Sequence, residues 1–162
     1  MAYDAFLKLD GLTGESTDDK HKGEVELKFW SFGVDHKQTI GSATGGAGSG
    51  KAAFNALIVE KVVDKASPVL FQNCASGDHF KTGVLTLRKA GGTQLEYLKW
   101  NLDTVFVTNV DFSSNTADEV VTERVHLALG KASVDYQAQG ADGKPMGGPV
   151  HGGWDILTNK KY

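Results

Sequence analysis

The residues from Gly45 to Lys51 have the spacing of a phosphate-binding loop, so a nucleotide is the first ligand they suggest. They satisfy the pattern Gly-x-x-x-x-Gly-Lys, in which backbone N–H groups and the lysine hold phosphates. Ala52 follows, however, where a magnesium-binding loop has Ser or Thr. The segment before it, residues 34–40, is polar and mixed, unlike the buried strand that precedes such loops. We therefore interpret the segment as a glycine-rich loop that can adopt positive φ and approach another backbone segment closely.

The segment from residue 15 to residue 22 contains acid–base side chains. Asp18, Asp19 and His21 would need partners elsewhere for metal or hydrolytic chemistry, and the other histidines show no ligand spacing. Ser16 lies in half of a nucleophile elbow, without its second glycine and outside an α/β pattern. No catalytic residue and no metal site is therefore predicted. We expect a solvated loop whose charges pair with one another.

The elements that must position these segments are mostly β-strands. Apolar and polar residues alternate in residues 3–9 and 25–29, residues 80–89 carry Val84-Leu85-Thr86-Leu87, and residues 95–110 form a long β-rich run broken only by polar residues. Such segments are typical of half-buried antiparallel strands. The turn sequence of residues 90–93 joins the last two strands, so a long hairpin is predicted over Phe80–Val110.

One short helix is predicted between these strands. Ser67 is the expected N-cap, Pro68 occupies the first helical position and Gly77 ends the helix. The spacing of i, i+4 pairs predicts an inward stripe of Leu70, Phe71, Cys74 and Ala75. Residues 53–62 stay open between strand and helix.

The segment of residues 120–139 changes its apolar parity at Gly130. Apolar residues stand at odd positions before this glycine and at even positions after it. A strand changes face when an extra residue is inserted, so a bulge is predicted at Gly130. Use of both faces by one strand favours a curled sheet or barrel.

Composition narrows the class of protein. The 162 residues suit one domain, and we interpret residues 1–162 as a single unit. A net charge of −3 offers no basic field for nucleic acid. No apolar run reaches the roughly 18–20 residues that cross a bilayer, and no basic-then-apolar secretory signal is visible. The lone Cys74 suits a reducing cytoplasm.

Several motifs, in collinear order over nearly the whole chain, resemble the haemolysin co-regulated protein (Hcp) family. They are residues 6–16, His21, 24–33, the glycine loop ending in Gly50-Lys51, 66–68, 75–77, 88–92, 96–98, 122–125, 141–144, 148–150 and 153–155. The resemblance implies an antiparallel β-barrel, mainly β, with one flanking α-helix and an extended Gly-rich loop.

The resemblance further implies a structural, non-enzymatic subunit of the type VI secretion tube, without a cofactor. Its implied partners are other copies of itself in stacked hexameric rings, the spike trimer, the contractile sheath and small effector proteins in the lumen. The implied route is from the cytoplasm through the type VI machine, without a signal peptide and without membrane insertion.

The resemblance also places Ser31 at a lumen-facing position. The segment from residue 36 to residue 51 is glycine-rich and carries almost no charge, so we expect it to order on ring–ring contact. The residues assigned to this ring-stacking loop are Gly41, Gly45, Gly46, Gly48, Gly50 and Lys51.

Two other functions stay open. The same strand pattern allows a monomeric small-ligand-binding β-barrel, and residues 45–51 allow an NTP-using enzyme. Molecular mass separates the first from a ring, and a nucleotide titration tests the second.

Overall fold

Antiparallel strands and one helix make up the described part of the chain, residues 2–37 and 50–162 of a computed structural model. In chain order the elements are β1 (Tyr3–Leu9), β2 (Val25–Glu26), β3 (Phe29–Ser31), β4 (Val34–His36), β5 (Ala52–Phe54), β6 (Leu57–Val62), α1 (Ser67–Ser76), β7 (His79–Lys89), β8 (Glu96–Ser113), β9 (Thr122–Tyr136), β10 (Val150–Asp155) and β11 (Lys160–Lys161). The predicted mainly β fold and the long hairpin, formed by β7 and β8, are confirmed. Residues 53–62, for which both strand and helix stayed open, are extended and run from β5 through β6.

The strand pairing runs around a closed circuit. β1 pairs with β7, β7 with β8, β8 with β9, β9 with β6, and β6 with β3. β2 pairs with β1 and leads directly into β3. Between them, the Leu27 N–H donates to the Ala5 carbonyl of β1, and the Lys28 N–H donates to the Glu60 carbonyl of β6. The segment from β2 to β3 therefore joins β1 to β6 and completes a barrel.

The hydrophobic core fills the barrel interior. Leu7, Leu57, Leu85, Val105 and Leu127 come from five different strands and are each at most 3% exposed. Burial alternates along β6, as expected for a strand with one face inward. The inward positions of the paired strands thus converge on one core cluster.

Strand β9 changes partner at Gly130. Its first half pairs with β6 and its second half with β10, and the buried positions change parity there. The predicted bulge is nevertheless wrong, because β8 keeps one register with β9 over Asp103–Val107, on both sides of this glycine. The distortion lies opposite, at Thr104, whose φ is 53°. A Cβ at Gly130 would lie 2.9 Å from the Thr104 Cβ, so this close approach requires glycine.

The helix α1 forms where it was predicted. Pro68 lies in its first turn, and Gly77 ends it with a φ of 78°. The N-cap is Ala66 rather than Ser67. The predicted inward stripe is only half right: Leu70 is buried, whereas Phe71 is 59% exposed because it lies on the outer side of the helix.

Strands β4 and β5 form a separate two-stranded sheet. Val34 pairs with Phe54 and His36 with Ala52. All three residues of β4 are exposed, so this ribbon stands away from the core.

Candidate functional site

Ser31, the predicted lumen-facing residue, lies exposed on the outside of the barrel. It pairs with Ile58 of β6, which pairs in turn with His126 of β9. Directly paired residues of antiparallel strands project to the same side of a sheet. The position of Ser31 therefore identifies a whole face of the barrel, which we call the outer face.

The outer face is chemically mixed. Two residues before Ser31 and on the same side of β3, Phe29 is 45% exposed and pairs with Glu60, whose carboxylate forms an ion pair with Arg124. At its far end the ring of Phe106 lies 4.9 Å from that of His79. The outer face consists of Phe29, Ser31, Ile58, Glu60, Arg124, His126, Phe106 and His79.

Lys61 and Glu123, which follow the Glu60–Arg124 pair on the β6–β9 ladder, form a buried ion pair. The Lys61 Nζ lies 2.5 Å from the Glu123 Oε1 and 2.7 Å from the Asp64 Oδ1, and it donates to the Ser67 Oγ at 3.0 Å. The Ser67 hydroxyl donates to the Glu123 Oε1 at 2.6 Å. Since Ser67 is the first residue of α1, this cluster ties the helix to the barrel wall.

Sequence reasoning missed the Lys61–Glu123 pair, although the strand pattern contains its signal. Lys61 continues the inward series of Leu57 and Val59, and Glu123 lies two residues before Val125, which is also inward. Opposite charges at the inward ends of two apolar strands indicate a buried ion pair.

The loop of residues 15–22 is docked on the barrel, which corrects the prediction of a solvated, self-paired loop. Asp18 accepts hydrogen bonds from both terminal nitrogens of Arg88, at 2.9 and 2.7 Å, and Asp4 accepts another at 2.9 Å. These Arg88 hydrogen bonds lower the pKa of Asp18 to about 2. Arg88 is 2% exposed, so the loop closes over its guanidinium group.

His21, in the same loop, is held between two carboxylates and an aromatic ring. Its Nδ1 lies 2.9 Å from the Glu24 Oε2 and its Nε2 lies 3.0 Å from the Glu96 Oε1. Its ring stacks on Phe6 at 4.2 Å, and it is 5% exposed. Ser16 is equally buried, and its hydroxyl accepts from the Asp18 N–H. Within residues 2–37 and 50–162, no group of three or more His, Cys, Asp or Glu is arranged to hold a metal ion.

Most of the predicted ring-stacking loop lies outside the described residues, including Gly41, Gly45, Gly46 and Gly48. Of this set, the structure places Gly50 and Lys51 immediately before β5. The His36 Nε2 lies 2.5 Å from the Gly50 carbonyl oxygen, across the base of the loop.

An aromatic cavity of about 500 Å³ opens beside this base. Four rings line it, from Phe32, Phe54, Trp100 and Trp154, and His36 and Lys51 are also in its lining. Phe32 meets Trp100 edge to face, with ring centroids 5.1 Å apart. Such apolar walls suit a hydrophobic group better than a phosphate chain.

A second apolar surface lies between α1 and the end of β8. Phe71 and Phe112 have ring centroids 6.5 Å apart and are 59% and 48% exposed. Val63 borders the same depression and is 38% exposed. We call these three residues the helix patch.

Comparison with known proteins gives consistent matches. Residues 6–136 match the family described as "Type VI secretion system effector, Hcp". Protein hcp1 of Pseudomonas aeruginosa is 40% identical over 160 residues, which are 98% of each chain. The crystal structure of Hcp1 from Salmonella typhimurium is 36% identical, with a TM-score of 0.83 over 100% of both chains. A solved type six secretion system protein is 32% identical, with a TM-score of 0.92 over 99% of this chain and 100% of that one.

Within residues 2–37 and 50–162, no helix is long and apolar enough to cross a bilayer. The family match covers most of the chain, and the 40% identical relative covers nearly all of it. The chain therefore belongs to the Hcp family of type VI secretion system proteins.

Proposed function

We propose that the chain is the structural subunit of a type VI secretion tube. Hexameric rings of it stack into a hollow tube that engages the spike trimer and the contractile sheath, and the tube carries small effector proteins in its lumen. The subunit is made in the cytoplasm and leaves through the type VI machine without a signal peptide. Its role is assembly rather than catalysis. Membership of the Hcp family supports this proposal.

The observation that carries the proposal is the outer face around Ser31. A barrel that has filled its interior with its own core has no internal channel, so cargo must lie against its outside. The outer face spans β3, β6, β9, β8 and β7 and exposes aromatic, hydroxyl and paired charged groups. Several copies with this face turned inward would enclose a solvated channel.

Ring closure also needs a heterologous contact between copies. Such a contact favours exposed apolar groups, which lose contact with water on assembly. The helix patch of Val63, Phe71 and Phe112 is one surface of this kind, away from Ser31.

Native mass spectrometry of the purified protein tests the oligomeric state. The proposal expects a species of six times the 17.3 kDa subunit mass. A species of one subunit mass at micromolar concentration would contradict it and favour the monomeric ligand-binding barrel.

Ser31→Gln tests the orientation of the outer face. The longer side chain is expected to narrow the channel. Rings should therefore still form, but they should retain less of a co-expressed small effector. Ser76→Gln is the matched control, because Ser76 is exposed at the end of α1, outside the outer face. Unchanged ring formation together with unchanged effector retention in Ser31→Gln would remove the support for a lumen position.

Deletion of residues 41–49 tests the ring-stacking loop. Rings are expected to persist while their stacking into tubes is lost, as seen by electron microscopy. Tubes of unchanged length would overturn the assignment of stacking to this loop.

A further inference from the structure

We propose that the aromatic cavity binds a small apolar acid, a molecule with one anionic group and a hydrophobic aromatic or acyl body. This inference goes beyond the tube function and does not depend on it. It assigns a ligand site to the region between the β4–β5 ribbon and the sheet of β8, β9 and β10.

The size of the cavity fits such a ligand. Its volume of about 500 Å³ lies within the roughly 300–1,000 Å³ typical of small-molecule sites. Small residues of the sheet leave this space open, notably Ala132 and Gly152. A Cβ built at Gly152 would meet no atom within 4 Å, so a longer side chain there would project into empty space.

The walls select an apolar body. Trp100 and Trp154 come from β8 and β10, and Phe32 and Phe54 come from the side of the ribbon. Aromatic rings held at different angles offer faces and edges to a bound hydrocarbon or ring. Trp100 also meets Phe32 edge to face, with ring centroids 5.1 Å apart, so two of the lining rings brace one another.

The charges of the lining select an anion. Lys51 is exposed, and no described lining residue is acidic. Among the described residues, no carboxylate lies within ion-pair distance of Lys51. A carboxylate or sulfonate next to this ammonium group gains a charge-assisted contact while its body enters the apolar cavity.

The probe for this site is 8-anilinonaphthalene-1-sulfonate, added to the protein as purified, with its assembly state unaltered. Trp100 and Trp154 line the cavity, so a probe bound there is expected to quench tryptophan fluorescence through energy transfer, which reports binding. We expect saturable binding of one probe per subunit. Decanoate is expected to displace the probe, whereas decyltrimethylammonium, with an alkyl chain of similar length and the opposite charge, is not.

Gly152→Leu is expected to weaken probe binding at least tenfold by filling the cavity. The matched control is Gly148→Leu, because a Cβ at Gly148 also meets no atom within 4 Å but lies outside the cavity. Lys51→Met is expected to weaken binding of the probe severalfold, because the positive charge is lost.

Absence of saturable binding, equal displacement by the two amphiphiles, or binding that Gly152→Leu leaves unchanged would each overturn the proposal. The amphiphile comparison uses the unmodified chain and so stands even if a variant misfolds. Native mass spectrometry of the same samples reports ring formation separately, so failure of the ligand site is distinguishable from failure of the tube function.

Discussion

Two ion pairs occupy adjacent rungs of the β6–β9 ladder and face opposite ways. Lys61 and Glu123 point into the barrel, where their side chains are 1% and 0% exposed. Glu60 and Arg124 point outward, with side chains 33% and 53% exposed. Both pairs join the same two strands in the same register and combine one basic with one acidic side chain, although β6 carries the base in the inner pair and the acid in the outer one. Their environments are what differ most.

The inner pair therefore contributes to the stability of the fold, whereas the outer pair contributes to the chemistry of the surface. Taking charges out of water is costly, so the inner pair depends on its partners Asp64 and Ser67 to compensate. The outer pair remains hydrated and contributes little to folding. It lies on the outer face with Ser31, where a change of charge should leave the barrel intact.

Lys61→Met should destabilise the barrel more than any change to the outward pair. It leaves the Glu123 carboxylate buried without its cation, and breaking a buried pair costs about 3–5 kcal/mol of unfolding free energy. Urea unfolding followed by tryptophan fluorescence measures this loss.

The double variant Lys61→Met/Glu123→Leu is the control for an unpaired charge. With both charges replaced by apolar groups, most of the lost stability should return. A Lys61→Met variant as stable as the parent would show that the inner cluster does not hold the barrel and α1 together.

Acid should weaken the contact between Asp18 and Arg88 that holds the loop of residues 15–22 on the barrel. The hydrogen bonds from Arg88 hold the pKa of Asp18 at about 2, below its ordinary value of 3.8. The lower value belongs to the folded state, so this stabilisation is complete above the ordinary pKa and is lost as pH falls through about 2. Unfolding free energy measured from pH 5 to pH 2 should fall less steeply in Asp18→Asn. Parallel curves for the two proteins would argue against this link.

Arg124→Ala should have the smallest effect on stability. An exposed ion pair is worth about 0–1 kcal/mol, so the unfolding midpoint should hardly move and rings should still form. Comparison with Lys61→Met in the same urea series sharpens the contrast between the two rungs. A loss as large as that of Lys61→Met would show that the outward pair also supports the fold.

Local patterns in the sequence predict much of the framework. Alternation over residues 3–9 predicts β1, the β-rich sequence of residues 80–89 predicts β7, and Pro68 with Gly77 predicts the helix α1 and its end. These signals are visible because neighbouring residues alone determine a strand face or a helix end.

The failures concern contacts between distant segments. The bulge at Gly130 was wrong because the distortion belongs to Thr104, on the strand opposite. Asp18 seemed a solvated loop residue because its partner, Arg88, lies 70 positions further along the chain. The orientation of Phe71 depends on which side of α1 meets the barrel, which spacing within the helix does not determine.

Of the residues on the outer face, the sequence indicated only Ser31. The resemblance indicated Ser31, and the register of β3, β6 and β9 extends that position to a face. The aromatic cavity was missed because Trp100 and Trp154 meet only after β8, β9 and β10 pair.

Electron microscopy of the purified protein tests the central claim, that copies of this barrel close into a ring. Class averages should show sixfold rings with a central hole. Compact particles without a hole, at protein concentrations well above micromolar, would contradict it.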